Sequence, residues 1–372
     1  MRTRVTVRNV QQVIEEWAPT DIAWENDNIG ILAGNPEDEV RGIVVALDCT
    51  EAVIGETLRL RANLLITHHP LLFKPLRSVT SIHGTGRCVQ LLNRAGISLI
   101  AAHTNLDFTR GGTSFALAMK LGLQNIDFLD GSYELDLKIV TFVPSDAVEQ
   151  VTAAMAEAGA GRIGNYEYCS FRTDGTGTFI GNRNSTPARG KKQQGEQVDE
   201  IRVEMILKRR DMHKVLQALR QSHPYEEPAY DVYPLRNVSR EYGMGAIGAL
   251  PRKTSLDSFL ETVKEQLGVK SVRFSHGSSR TVRRVAVCGG SGSQLLDAAI
   301  RNNADAFVTA DVSYHTFHDA HGRITLVDAG HYETEQPVVP VLASRVKQHF
   351  KKRGNAIPVR IARASTNPMQ HA

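Results

Sequence analysis

The sequence predicts a duplicated two-part α/β fold with strands from both halves, interrupted by a ferredoxin-like α+β insertion. Three observations predict it. Short apolar, β-rich runs alternate with helical patterns early in the chain and again late. The stretches VVALDCTEAVIGETLRLRANLLITHH and VAVCGGSGSQLLDAAIRNNADAFVTAD share one order: strand, polar turn, helix, then a strand ending at Thr and polar residues. Between them the order βαβ-β-αβ lacks long parallel crossovers, as in a split βαβ module.

The elements follow in order. Val10 to Trp17 reads as a short helix ended by Ala18-Pro19, and Trp24 to Gly30 as a polar loop. Gly42 to Leu47 is a strand ending at Asp48. Thr50 is the predicted N-cap of a helix running to Ala62. Leu64 to Thr67 is the next strand, and Pro70 stops its continuation. Arg87 to Ala95 is a helix closed by Gly96, followed by the strand Ile97 to Ala102. In the middle segment Lys138 to Val143, Tyr166 to Arg172, Glu200 to Leu207 and Ala229 to Tyr233 read as strands. Ser145 to Ala158, capped by Ser145 and broken at Gly159-Ala160-Gly161, and Met212 to Ser222 read as helices. Asn182 to Gln197 is polar, basic and glycine-bearing, which predicts a mobile loop. Late in the chain, Arg284 to Cys288, Ala306 to Thr309 and Ile324 to Asp328 are strands, with a helix from Ser293 to Asn302. The boundaries are 1–130 for the first half of the main domain, 131–236 for the insertion and 237–372 for the second half.

The bulk numbers narrow the function. A chain of 372 residues is too long for one ordinary core. A hydrophobic content of 41% and a charged content of 23% are those of a soluble globular protein. A net charge of +4 is small for this length and argues against nucleic acid or an anionic membrane as partner. Four Cys without a CxxC pair read as reduced thiols. The stretch Met1 to Glu16 lacks the apolar centre of a signal peptide, and no apolar run approaches a membrane span. The expected location is the cytoplasm.

Three apolar runs end in histidine. Leu64-Leu65-Ile66-Thr67 is followed by His68 and His69, and Leu99-Ile100-Ala101-Ala102 by His103 with Asp107 nearby. Leu326-Val327-Asp328-Ala329-Gly330 is followed by His331, with Glu335 four residues on. Strand ends opening into loops are the usual place for a site in an α/β protein. These three read as one metal site assembled from distant parts of the chain.

Several stretches are specific in combination: WENDNIGILAG at 24–34, ITHHPLLFKPL at 66–76, AAHTNLDF at 101–108, TADVSYHTFHDA at 309–320 and DAGHYETE at 328–335. On these the chain resembles the GTP cyclohydrolase 1 type 2 homologue family, also called the Ngg-interacting-factor-three-like family. The segments FVPSDAVEQV, AGAGRIGNYEYCSF, GTGTF and HPYEEPAYDVYPL resemble the PII-like insertion of its longer bacterial members. The resemblance implies a dinuclear metal centre in a homo-oligomeric ring, commonly a hexamer. By motif matching it implies His68, His69, His103, Asp107, His331 and Glu335 as the metal ligands.

Four imidazoles and two carboxylates suit two divalent ions such as Zn²⁺, Fe²⁺ or Mn²⁺. Six side chains are too many for one ion that must keep an open position, and they fit two ions sharing a bridging carboxylate, for which Asp107 is the candidate. His331 and Glu335, like His103 and Asp107, are four apart and share a face if helical. Two cations lower the pKa of a bridging water, giving a hydroxide that attacks carbon or phosphorus. His315 is a candidate proton shuttle or substrate contact, and Asp311 a candidate for orienting a ligand. A hydrogen-bonded structural pair at these two positions would look the same.

Other features have plainer readings. His83, His213, His276, His318 and His321 read as surface or satisfied core residues. Trp24 and Asn28 read as loop-fixing residues. Gly289 to Gly292 lacks the spacing of a phosphate loop and reads as a tight turn for close helix packing. His223-Pro224-Tyr225-Glu226-Glu227 reads as a turn against the sheet, with a second metal or ligand site as the rival. Arg183, Arg189, Lys191 and Lys192 read as solvated charge. The functional expectation is a metal-dependent hydrolase of a small nucleotide- or pterin-like molecule. The rival is a non-catalytic ring that holds or delivers metal, with the insertion as a gate or sensor. A third reading is nucleic-acid binding through the basic loop.

Overall fold

The computed structural model describes residues 4–80, 84–131, 136–237 and 241–370; His83 lies outside them. The chain divides into two units, residues 1–131 with 240–372, and residues 132–239.

The first unit holds two sheets of like plan. In one, the order is Gly30–Ala33, Ser98–Ala101, Leu64–Thr67, Ile43–Ala46, Val359–Ile361. All of its pairs are parallel except the edge pair of Gly30–Ala33 with Ser98–Ala101. The parallel strands are apolar throughout because both faces are covered. Leu64 and Ile66 enter one core with Ile43, Val45 and Ile100. Leu65 enters the opposite core with Val44 and Leu99. Leu64, Leu65 and Ile66 are each fully buried, a gain of about 1.5–3 kcal/mol apiece. The crossover helices are Glu51–Arg59 and Gly84–Ala95. Thr50 caps the first, its hydroxyl accepting from the Val53 N–H at 3.3 Å.

The second sheet runs Arg273–Ser275, Thr325–Asp328, Ala306–Ala310, Thr281–Ser291, Met244–Ser255, Gln124–Asp130. Its three middle strands from Thr325–Asp328 to Thr281–Ser291 are parallel. The last strand of each parallel set carries a short antiparallel edge strand. The two halves therefore repeat one topology, and the expected α/β duplication is what the chain forms. In both, the parallel strands end in register: Ala46 beside Thr67 beside Ala101, and Thr309 beside Asp328.

The second unit has the order Phe171–Ile180, Gly195–Lys208, Asp136–Pro144, Tyr230–Pro234, all antiparallel. With helices Val148–Glu157 and Met212–Ser222 this is the ferredoxin-like split βαβ order. Both helices pack on one face of the sheet through Val151, Met155, Val215 and Leu219 against Ile139, Val203 and Met205.

Some local expectations need correction. The first helix is Val7–Glu15 rather than Val10 to Trp17, because Thr6 and Asn9 form a capping box that starts it earlier. Ser145 is not a cap: a turn closed by the Ala147 N–H on the Pro144 carbonyl delays the helix to Val148. The expected strand Tyr166 to Arg172 is displaced to Phe171–Ile180, beyond a left-handed Tyr168 at φ 57°. Its partner begins at Gly195, inside the expected loop.

Candidate metal centre

One local device is used twice at the strand ends. After Ser98–Ala101, His103 occupies the N-cap position of the short helix Thr104–Asp107, and Asp107 closes that turn. After Thr325–Asp328, His331 opens the helix His331–Glu335, and Glu335 closes it. Strand, His, one helical turn and carboxylate put two donors on the same side. His68 and His69 leave the neighbouring strand, their N–H groups held by the carbonyls of Ala46 and Leu47 at 3.4 and 3.0 Å.

The six side chains meet. His68 Nε2 lies 3.5 Å from Asp107 Oδ1 and 3.8 Å from Glu335 Oε1. Glu335 Oε2 lies 2.8 Å from His69 Nε2 and 3.2 Å from His331 Nε2. The ring centres of His68, His69 and His103 are 5.1–5.5 Å apart, and His69 to His331 is 5.4 Å. Donor atoms of His68, His69 and His103, and separately of His69, His331 and Glu335, lie within 4.8 Å of one another.

Every imidazole is fixed through its other nitrogen. His68 Nδ1 bonds the Ala102 carbonyl at 2.8 Å, and His69 Nδ1 the Asp48 carboxylate at 2.7 Å. His103 Nδ1 bonds Asp27 at 2.9 Å, and His331 Nδ1 bonds Asp311 at 2.6 Å. An acceptor at Nδ1 places the proton there and leaves the Nε2 lone pair free, which is how metal-binding histidines are oriented. The orienting groups are themselves held. Thr366 donates to Asp48, and Thr104 donates to Asp27 through both N–H and hydroxyl. Asp328 accepts the N–H groups of Val312 and Gly330, tying the two turns that carry Asp311 and His331. Asp311 has φ 53°, a left-handed conformation that Asp tolerates better than most residues.

The charges are strongly interdependent. Burial pulls the His69 imidazole down, but the Asp48 hydrogen bond and the adjacent Glu335 carboxylate outweigh it and lift it to about 10. The adjacent Glu335 carboxylate, against burial, lifts His331 to about 9, with Asp311 adding to it. His68 is also raised: burial is outweighed by Asp107 and Glu335. Burial pushes Asp107 up, whereas three imidazoles hold Glu335 well below the carboxylate range in spite of burial. The protein alone thus draws protons into this cluster, as a set of donors built for cations does.

The residues fit divalent metal. His68 Nε2, Asp107 Oδ1 and Glu335 Oε2 are buried and make no hydrogen bond of good geometry, despite the short approaches. Donors around an ion at about 2.1 Å sit roughly 3–3.5 Å from one another, and the approaches here, 2.8–3.8 Å, bracket that range. Gly290 gives Glu335 its room: a Cβ there would lie 2.1 Å from Glu335 Oε1. The Gly289-to-Gly292 stretch is thus a close-packing turn, with the Gly290 N–H donating to Thr334 Oγ1 at 3.0 Å.

The structure brings together all six residues named from the motifs, and Asp311 with His331. It does not bring His315 to them: that side chain is exposed on the helix Tyr314–Ala320, its ring against Tyr314. Sequence reasoning passed over Asp27 and Asp48. Asp48 ends a parallel strand, the same signal that singled out the histidines. Asp27 lies in the WENDNIG loop, where nothing local marks it as a partner of His103. His223 is held on both nitrogens, Nε2 to the Phe142 carbonyl at 3.0 Å and Nδ1 to the Tyr225 N–H at 3.1 Å, as expected of a structural turn residue.

A family model described as Duf34/NIF3 (NGG1p interacting factor 3) matches residues 5–368. The chain belongs to this family. Among family relatives, a Halalkalibacterium halodurans protein named GTP cyclohydrolase 1 type 2 homolog is 39% identical over 347 residues, 93% of this chain and 92% of its own. A Bacillus subtilis protein of the same name is 34% identical over 370 residues, 99% of each chain. Two solved structures are similar over nearly full length. A Bacillus cereus protein related to NIF3 is 36% identical with TM-score 0.75, covering 100% of both chains. A Staphylococcus aureus protein is 30% identical with TM-score 0.80, covering 99% of both. The Duf34/NIF3 resemblance read from the motifs therefore holds along the whole chain. Among the described residues no helix is long and apolar enough to cross a membrane.

Proposed function

We propose that this protein holds two divalent cations and is a metal-dependent hydrolase of a small nucleotide- or pterin-like molecule. One observation carries the reading: four clustered imidazoles each have Nδ1 fixed, and among them lie Asp107 and Glu335, each with one buried oxygen that lacks a hydrogen-bond partner. The mixed nitrogen and oxygen set suits Zn²⁺, Fe²⁺ or Mn²⁺. Two such cations supply Lewis acidity and lower the pKa of water. His68, His103 and Asp107 would hold one ion, and His69, His331 and Glu335 the other. Asp107 is the bridging candidate, and Glu335, which reaches imidazoles of both groups, is a second. Asp27, Asp48, Asp311 and the Ala102 carbonyl keep the ring protons on Nδ1. The names of the relatives support a cyclohydrolase-like substrate.

The proposal extends to the assembly: a cytoplasmic homohexamer in which the segment 131–236 is a PII-like domain. The four free thiols support the cytoplasm, and the family resemblance supports the hexamer and the PII-like domain. The test is metal content per chain together with turnover on a panel of nucleotides and pterins. Expected are two ions in wild type, loss of metal in His68→Ala and Asp107→Ala, and loss of turnover in Asp107→Ala with the oligomer intact. Undiminished metal in both variants overturns the site. A metal-replete protein without turnover leaves a metal-holding ring.

A further inference from the structure

The second unit contains a cavity of about 530 Å³, a size suited to a small organic molecule. It lies wholly within residues 132–239. Two stretches that the metal centre does not use line it: Gly175 to Phe179 from the edge strand, and Tyr225 to Glu227 from the HPYEE turn. The register places its floor: Phe142 and Thr173 flank Arg202, and Gly175 lies beside Glu200. The segment at Thr186 is tied to the HPYEE turn, with the Thr186 N–H donating to Glu226 Oε1 at 2.6 Å.

The polar lining has one sign of unused capacity. Both cations are committed to acids: Arg202 Nε bonds Glu204 at 2.9 Å, and Arg189 bonds both oxygens of Asp146 at 2.6 Å. Among the described residues Glu200 has no such cationic partner; its Oε2 lies over Gly177, in the space a Cβ would occupy at 2.1 Å. The Tyr225 hydroxyl is buried without a partner of hydrogen-bond geometry. Burial and the adjacent Glu200 carboxylate push that phenol up to about 12, so it stays protonated at neutral pH. The rings of Phe142, Phe179 and Tyr225 supply flat apolar walls. Glu200 thus offers a carboxylate at the floor of an aromatic pocket, where a cation gains both a charge-assisted hydrogen bond and ring contact.

We propose that this cavity binds a small organic cation, a protonated amine on a flat aromatic body, recognised by Glu200 and Tyr225. The site shares no residue with the metal centre. The test uses the full chain in its metal-loaded form and isothermal titration at pH 7 with three probes: tryptamine, the matching acid indole-3-acetate, and neutral indole-3-ethanol. Saturable binding of tryptamine, with the acid at least about tenfold weaker, is expected. Glu200→Gln should weaken tryptamine about tenfold and leave the neutral probe unchanged, and Tyr225→Phe should weaken it less. Metal content should be unchanged in both variants. The proposal is overturned if the acid binds as well as the amine, if no probe binds, or if Glu200→Gln leaves amine affinity unaltered. The comparison of probes on the wild-type protein stands even if a variant fails to fold.

Discussion

The two halves of the main unit share a scaffold and differ in load. In the first, the middle and last parallel strands deliver His68, His69, His103 and Asp107. In the second, the last strand delivers His331 and Glu335, and the middle strand ends instead at Asp311, which orients His331. Burial differs in the same direction: the His68 side chain is fully buried, whereas those of His331 and Asp311 are 35% and 51% exposed. Glu335, only 5% exposed, is the exception and reaches into the first half's imidazoles. A duplicated topology thus sets where donors can be placed, and local sequence decides how many and how wet.

Glu335 is the place to break the comparison. Glu335→Gln keeps the volume and removes the charge that faces three imidazoles. Expected is loss of metal from both halves, a fall in affinity beyond the roughly 10–100-fold typical of losing an outer partner. Elemental analysis after dialysis checks it; retention of one full ion would confine Glu335 to the second half. Gly290→Ala acts on the same carboxylate. Its φ of 64° strains any Cβ by about 1–2 kcal/mol, and the Cβ would meet Glu335 Oε1. Metal loss together with a lower Tm is expected. Gly96→Ala is the control in the first half, with φ 61° and no atom within 4 Å of its Cβ, so it should lose about 1 kcal/mol and keep its metal.

Much of this was legible in the sequence because the signals are local. Buried parallel strands are apolar on both faces, and Leu64 to Thr67 or Ala306 to Ala310 announce themselves. Their ends are where chemistry emerges, so His68, His69, His103 and His331 could be found without a structure. The orienting carboxylates were harder. Asp27 reaches His103 across 76 residues of chain, and Asp48 reaches His69 across 21. Such pairings depend on which strands become neighbours, information that no single stretch carries. The shift of the insertion's edge strand to Phe171–Ile180 has the same origin: its Gly-Thr-Gly run is a poor strand by propensity and is held by pairing with Gly195–Lys208. Ser145 failed as a cap because the Pro144 turn comes first.

The orienting residues give a smaller and more discriminating effect. Asp48→Asn and Asp311→Asn each keep a side-chain oxygen but remove the charge behind one imidazole. Asp48 is the more buried, with Thr366 also bound to it, so its loss should cost metal affinity toward the upper end of about 10–100-fold. The more exposed Asp311 should cost nearer the lower end, since water replaces part of its role. Competition against a chelator measures both. Equal losses would show that burial of the orienting group does not set its contribution.

The mildest test separates the halves by pH. In the metal-free protein His69 and His331 are raised to about 10 and about 9, from an unfolded value near 6.5. Groups with raised pKa contribute stability that is complete below about pH 6.5 and is lost as pH climbs through the folded values. Glu335 is depressed, so its contribution is present above its unfolded value near 4.5 and is lost on further acidification. The metal-free protein should therefore have its highest Tm near pH 5–6.5 and decline toward pH 10. A bound cation replaces those protons, so the Tm difference between zinc-loaded and metal-free protein should widen as pH rises, with proton release on binding. His331→Gln should remove the part of this decline that runs from about pH 6.5 to about 9, and His69→Gln the part that runs on to about 10. A metal-induced gain in Tm that stays constant from pH 6 to 10 would mean that neither imidazole gives up a proton to the metal, and would remove both from the ligand set.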